Sequence, residues 1–222
     1  MPFNDRAEAG QRLATELRHL NGEDLVVLAL PRGGVPVAFE IATTLGAPLD
    51  VIVVRKLGVP HHPELAMGAI GEGGARVIND RVTATARVTP EQITRVEENE
   101  RAELQDRIRA LRGERPATSV RGRTAIVVDD GIATGSTAQA ACQVARVQGA
   151  TRVVLAVPVG SPESVERLRE DADIDEVTCL EAPPHFSAIS QFYRDFSQTS
   201  NEEVTSLLDE AARSASRGDP RE

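Results

Sequence analysis

Apolar residues along the chain fall into two kinds of run that alternate. Between residues 5 and 20, Ala9, Leu13, Leu17 and Leu20 recur at helical spacing and predict an amphipathic helix, ended by Asn21-Gly22. Residues 25–30 (Leu-Val-Val-Leu-Ala-Leu) are then continuously apolar, which suits a strand covered on both faces. Pro31-Arg32-Gly33-Gly34 breaks the run, and helical spacing resumes from Val35 to Leu45 before Gly46. The unit repeats with a second buried strand over 49–54, followed by Arg55-Lys56-Leu57-Gly58 and a loop, Val59-Pro60-His61-His62-Pro63. Residues 66–70 and 75–78, joined through Gly71-Glu72-Gly73-Gly74, predict a β-hairpin.

A long charged helix should run from Thr89 to Gly113, with Thr89 as N-cap, Pro90 at the first position and Gln92 closing a capping box. Its apolar positions are few (Ile93, Val96, Leu104, Ile108, Leu111), so it should lie on the surface or project from it. Three more strands are expected at 124–128, 152–157 and 176–180, separated by helices at about 136–148 and 162–170. Thr199-Ser200-Asn201-Glu202-Glu203 opens a capped helix to Leu208, and the tail after Asp209 reads as frayed. Strands alternating with helices imply an α/β fold with a parallel sheet and right-handed crossovers. Ligands of such sheets sit beyond the carboxyl ends of the strands.

Length and charge narrow the reading. At 222 residues the chain suits one α/β domain with an appendage, against a prior of about 150 residues per domain. The net charge of −9 argues against a nucleic-acid partner held by phosphate neutralisation. Cys142 and Cys179 are isolated, and no window is apolar enough to span a bilayer, so a soluble, reduced, cytoplasmic protein with no membrane partner is expected. Among 25 basic residues the only lysine is Lys56. GC-rich codon usage accounts for the arginine excess, though not for the place where the one lysine stands.

The chemistry concentrates after the strand at 124–128. There Asp129-Asp130-Gly131-Ile132-Ala133-Thr134-Gly135-Ser136-Thr137 leads into a helix. Small and hydroxyl residues at a strand-to-helix turn expose backbone N–H groups and a helix N-terminus, an anion cradle. The two upstream carboxylates would repel a bare phosphate. They fit a ligand that offers hydroxyls or Mg²⁺ on one side and phosphate on the other, the layout of a sugar monophosphate. The turn lacks the Gly-Lys-Ser/Thr ending of a Walker A loop and the Gly-x-Gly-x-x-Gly of a dinucleotide turn.

Residues 125–137 resemble the 5-phosphoribosyl 1-pyrophosphate (PRPP) motif of the type I phosphoribosyltransferases: four apolar residues, an acidic pair and a small, hydroxyl-rich loop. Gly131 departs from that motif, which usually has an aliphatic residue after the acidic pair. The resemblance implies a parallel-sheet core over about 25–180 with helices on both faces. A small hood would come from about 1–20 and 181–208, with an inserted hairpin and long helix at about 66–113, all in one domain over 1–222. It further implies that Asp129 and Asp130 bind the ribose hydroxyls and that Ala133, Thr134, Gly135, Ser136 and Thr137 hold the 5′-phosphate. Arg32, Gly33 and Gly34 would meet the pyrophosphate on the turn after the first strand, where a strained peptide is frequent, and Arg55 and Lys56 would do so after the second. Catalysis would fall to Asp129, Asp130, Lys56 and Arg32. The cofactor would be Mg²⁺, held mainly by substrate and assisted by the acidic pair. The expected partners are PRPP and a small nitrogenous acceptor, with a homodimer possible.

Blander readings stand beside these. Arg32 could be a solvated turn residue and Arg55-Lys56 an exposed strand end; His61 and His62, by resemblance in a loop that closes over the reaction where they would contact pyrophosphate or donate a proton, could be solvated loop residues. Of six aromatics, four fall between Phe186 and Phe196. By resemblance Phe186, Phe192 and Tyr193 are candidates to stack on the acceptor base, or else they anchor a C-terminal helix. The expected activity is phosphoribosyl transfer with release of pyrophosphate. Its alternatives are a PRPP- or nucleotide-sensing regulator, and a hydrolysis or phosphorolysis at the anomeric carbon.

Overall fold

The computed structural model describes residues 2–217. Five parallel strands form the central sheet: β1 (Leu25–Ala29), β2 (Leu49–Val51), β6 (Thr124–Val128), β7 (Arg152–Val159) and β8 (Glu176–Glu181), in the order β2-β1-β6-β7-β8. Every residue of β1 and β6 is buried, as their unbroken apolar runs require for strands covered on both faces. One face carries α1 (Arg6–Glu16), α2 (Gly34–Leu45) and α7 (Asn201–Arg217), packed through Leu13, Leu17, Ile41, Val204 and Leu208. The other carries α5 (Ser136–Val147) and α6 (Pro162–Arg169), packed through Ala141, Val144, Val165 and Leu168. Gly46 ends α2 in the left-handed conformation at φ +62°, as its position predicts.

A second, antiparallel sheet packs against this core through Leu57, Met67 and Ile70. It consists of β3 (Val54–Val59), β4 (His62–Gly71) and β5 (Arg76–Ile78) in sequence order. The hairpin across Gly71–Gly74 is therefore present, but it belongs to three strands, not two. The strand expected over 49–54 divides: β2 ends at Val51, Ile52 and Val53 cross buried between the sheets, and Val54 begins β3. The loop expected over 59–63 shrinks to a tight turn at Pro60-His61, with Val59 paired to His62 across it, His61 at φ +68° and both histidines exposed.

After the short α3 (Asp80–Thr85) comes α4 (Pro90–Arg112), which bears the expected capping box between Thr89 and Gln92. Its carboxyl-terminal half is more than a surface appendage, since Leu104, Ile108, Leu111 and Arg112 are buried. The final helix also exceeds expectation: the segment read as frayed after Asp209 continues α7 to Arg217, and the rest of that tail lies outside the described residues. Among the described residues no helix is long and apolar enough to cross a membrane.

Candidate functional site

The carboxyl ends of β1 and β6 lie side by side, paired in parallel from Leu25 with Thr124 to Ala29 with Val128. Two turns separated by about a hundred residues of sequence are thereby brought together. The turn after β1 contains a cis peptide between Pro31 and Arg32. Gly33 and Gly34 pack directly on the acidic pair. A Cβ on Gly33 would lie 2.0 Å from Asp130 Oδ2, and one on Gly34 would lie 2.6 Å from the Val128 carbonyl and 3.0 Å from Asp129 Cα. The close approach that demands paired glycines is thus already made within the protein.

Asp129 is half-buried and Asp130 is buried. Burial, reinforced by the neighbouring Asp130 charge, pushes the Asp129 carboxyl well above the usual carboxylate range. Burial also raises Asp130, against the opposing pull of Arg6. Arg6 Nε donates to Asp130 Oδ2 at 2.8 Å, and the Tyr193 hydroxyl donates to the Asp130 carbonyl at 2.7 Å.

The loop beyond the pair is built for open backbone donors. Gly135 sits in the left-handed region at φ +68° and starts α5, while Ala133, Thr134 and Thr137 are exposed. Support comes from α6: Ser161 and Ser164 each donate a hydroxyl to the Ala133 carbonyl at 2.7 Å. Arg167 donates to the Thr134 carbonyl and, at 3.1 Å, to Gln139 Oε1. With the Ala133 and Thr134 carbonyls engaged from α6 and the Thr134 and Ser136 hydroxyls 3.2 Å apart at its N-terminus, α5 offers a start suited to an anion.

Lys56 lies within β3, and its ammonium reaches Ser136 Oγ at 3.3 Å, at the mouth of that loop. Arg55 does not join it. Successive residues of a strand point to opposite faces, and Arg55 pairs with Glu100, at 2.7 Å, and with Glu103 on α4. Both Arg55 and Lys56 were expected just beyond a strand end; they instead sit inside an antiparallel strand, and only Lys56 faces the loop. Arg32 is half-buried on its turn and makes no ion pair among the described residues. Arg107 of α4 donates to the Pro31 carbonyl at 3.3 Å, adding a cation near that turn.

The aromatic segment packs rather than opens. Tyr193 is 6% exposed, with its ring 5.4 Å from Phe3 and 5.0 Å from Phe196 by centroid. Phe186 and Phe192 stack on each other at 5.8 Å, half-buried against the same cluster. Here Ile189 accounts for Gly131: a Cβ on Gly131 would meet Ile189 Cγ2 at 2.7 Å. The aliphatic group that the resembled motif has after the acidic pair is replaced by one delivered from the segment between β8 and α7.

Arg6, Arg107, Arg167 and Ile189 escape a reading by motif because their partners are distant in sequence. Only the Ser161-Pro162 pair, a recognisable helix start, signals that α6 begins beside the loop. Among the described residues no group of three or more His, Cys, Asp or Glu side chains is gathered as metal ligands.

Two Mycobacterium tuberculosis proteins, Rv0571c of strain H37Rv and MT0597 of strain CDC 1551, are 54% identical to this chain over 211 residues; both are provisionally named phosphoribosyl transferases. The match covers 95% of this chain but 47% of each relative, so the chain spans about half the length of the curated relatives it matches. The crystal structure of TT1426 from Thermus thermophilus superposes with a TM-score of 0.84 at 43% identity, covering 95% of this chain and 99% of that one. A hypothetical protein from Neisseria gonorrhoeae, solved with bound ppGpp, shares the fold alone: TM-score 0.50 at 12% identity, over 99% of this chain and 96% of that one. A family model for the phosphoribosyl transferase domain matches residues 4–197, nearly the whole of the described fold. The chain belongs to that family.

Proposed function

We propose that this chain transfers the 5-phosphoribosyl group of PRPP to a nitrogenous, nucleobase-like acceptor and releases pyrophosphate. The observation that carries this reading is the 3.3 Å contact from Lys56 to Ser136, which puts the one lysine of the chain at the hydroxyl-lined helix start that follows the two carboxylates in sequence. Ribose hydroxyls would meet Asp129 and Asp130, and the 5′-phosphate would meet the N–H groups and hydroxyls of Ala133–Thr137. Pyrophosphate would lie toward Lys56, Arg32 and the Gly33-Gly34 turn. Arg55, engaged by Glu100 and Glu103, has no part in this reading.

Displacement at the anomeric carbon passes through a cationic, oxocarbenium-like sugar as pyrophosphate departs. The protein's work is then positioning and stabilisation of leaving-group charge. Each charge-assisted bond from Lys56 or Arg32 contributes about 1.5–3 kcal/mol. Two carboxylates, one of them tied to Arg6, fit a Mg²⁺ ion that keeps most of its ligands on substrate oxygens and water. That ion would supply further neutralisation of the pyrophosphate charge.

Release of pyrophosphate from PRPP in the presence of a panel of bases tests the reading. Asp130→Asn and Lys56→Ala should each lower turnover by about 10²–10³ with the fold intact. Wild-type turnover in both would refute it. PRPP binding without pyrophosphate release for any acceptor would support the sensing alternative. Lys56→Arg isolates the lone lysine: a compact ammonium has a distinct role there only if activity falls.

A further inference from the structure

Arg6 opens α1, far in sequence from the acidic pair, yet its guanidinium is fixed at three points. Nε donates to Asp130 Oδ2 at 2.8 Å, Nη1 donates to the Ser197 carbonyl at 2.7 Å, and Cζ lies 4.0 Å from the centroid of the Phe196 ring. The side chains of Arg6 and Asp130 are each 11% exposed. On its other side Asp130 abuts the Gly33 turn, where a Cβ would lie 2.0 Å from Oδ2 but 3.2 Å from Oδ1. Oδ2 is therefore enclosed between Arg6 and Gly33, and Oδ1 is the oxygen with more room. The Asp130 backbone is pinned as well, by the Tyr193 hydroxyl on its carbonyl and by Asp129 Oδ1 accepting from its N–H at 2.9 Å.

We propose that Arg6 is a positioning residue for sugar recognition: it holds Asp130 through Oδ2 so that Oδ1 is presented, already oriented, to a ribose hydroxyl. The inference rests on the PRPP reading above. A planar fork can hold a carboxylate, a carbonyl and an aromatic face together, which an ammonium cannot. A carboxylate fixed before binding loses less rotational freedom when the sugar arrives. Residues 3–6 and 192–197 are thereby made part of ribose discrimination, although they lie outside the turn over 133–137.

The test is calorimetric binding of ribose 5-phosphate, 2,3-dideoxyribose 5-phosphate and inorganic phosphate to the full chain and to Arg6→Gln and Arg6→Lys, with a melting curve for each. The wild type should prefer ribose 5-phosphate over the dideoxy sugar by about tenfold or more. Arg6→Gln should weaken ribose 5-phosphate by about ten- to hundredfold while the dideoxy sugar and phosphate change by less than about twofold. Arg6→Lys should recover part of the preference, and it serves as the sole comparison if Arg6→Gln does not fold. Full preference in Arg6→Gln, or an equal loss for all three ligands, overturns the positioning role. A wild type indifferent to the hydroxyls overturns the PRPP reading and the inference with it, an outcome visible before any variant is made.

Discussion

Gly131 and Ile189 divide between them the volume of one aliphatic side chain. The glycine leaves a gap after the acidic pair, and the isoleucine enters it from the segment between β8 and α7. Restoring a branched residue at 131 without removing the one at 189 overfills the site. Gly131→Val should cost about 1–3 kcal/mol in urea unfolding, and adding Ile189→Ala should recover much of it. Strict additivity of the two changes would show that they do not share this space. The acidic pair, the small hydroxyl-rich turn over 131–137 and the turn over 31–34 stood out in the sequence because each is a short local motif at a strand end. Ile189, Arg6 and Arg167 were not, because each acts on a residue at least 33 positions away and carries no local signature.

Reading elements by hydrophobic period succeeded where a run had one environment and failed where it had two. Residues 49–54 are apolar throughout except Asp50, so they resemble one buried strand. In fact the chain leaves one sheet and enters the other within that run, and it stays buried while it crosses. The error moved Arg55 and Lys56 from a strand end to a strand interior, where pleating sends them opposite ways. Arg112 marks a second limit of pattern reading. It looks like one more charge at the end of a charged helix, yet its side chain is 4% exposed. It donates to Asp50 at 2.8 Å, to the Val51 carbonyl at 2.9 Å and to Glu72, tying α4 to β2 and to the β4–β5 connection. Arg112→Ala should destabilise the fold by about 3–5 kcal/mol in chemical denaturation, because it strands a buried Asp50. Adding Asp50→Ala should cost much less than the sum of the two single changes; full additivity would refute the coupling.

At the scale of the molecule, the same carboxylates that suit the site burden the fold. Burial and the Asp130 charge raise the Asp129 carboxyl, so the folded state holds a proton that the unfolded chain releases at lower pH. Stability should therefore fall as pH rises from the ordinary carboxyl value, about 3.9, to the raised value of Asp129, and stay reduced above it. In metal-free buffer Asp129→Asn, which keeps an oxygen to accept from the Asp130 N–H, should be the more stable protein at neutral pH by about 0.5–2 kcal/mol. That advantage should vanish below about pH 3.9. A variant less stable than wild type at neutral pH would refute this account. The net charge of −9 does not oppose the proposed function, under which a small phosphorylated sugar would need only a local cradle of donors, not a basic surface.

The pairing of residues 3–6 with residues 192–197 bears on the order in which this fold can close. Phe3 donates its N–H to the Phe192 carbonyl at 2.7 Å and accepts from Arg194 at 2.8 Å, beside the Arg6 contacts with Asp130 and Ser197. During synthesis residues 3–6 leave the ribosome before residues 192–197 and must wait for them before they can take their places. The β1 and β6 turns can form earlier, but the carboxylate at their junction is seated only when the late segment emerges. A growing chain would thus carry the turn over 129–137 before Asp130 is tied to Arg6, and that tie becomes a late, long-range event in folding.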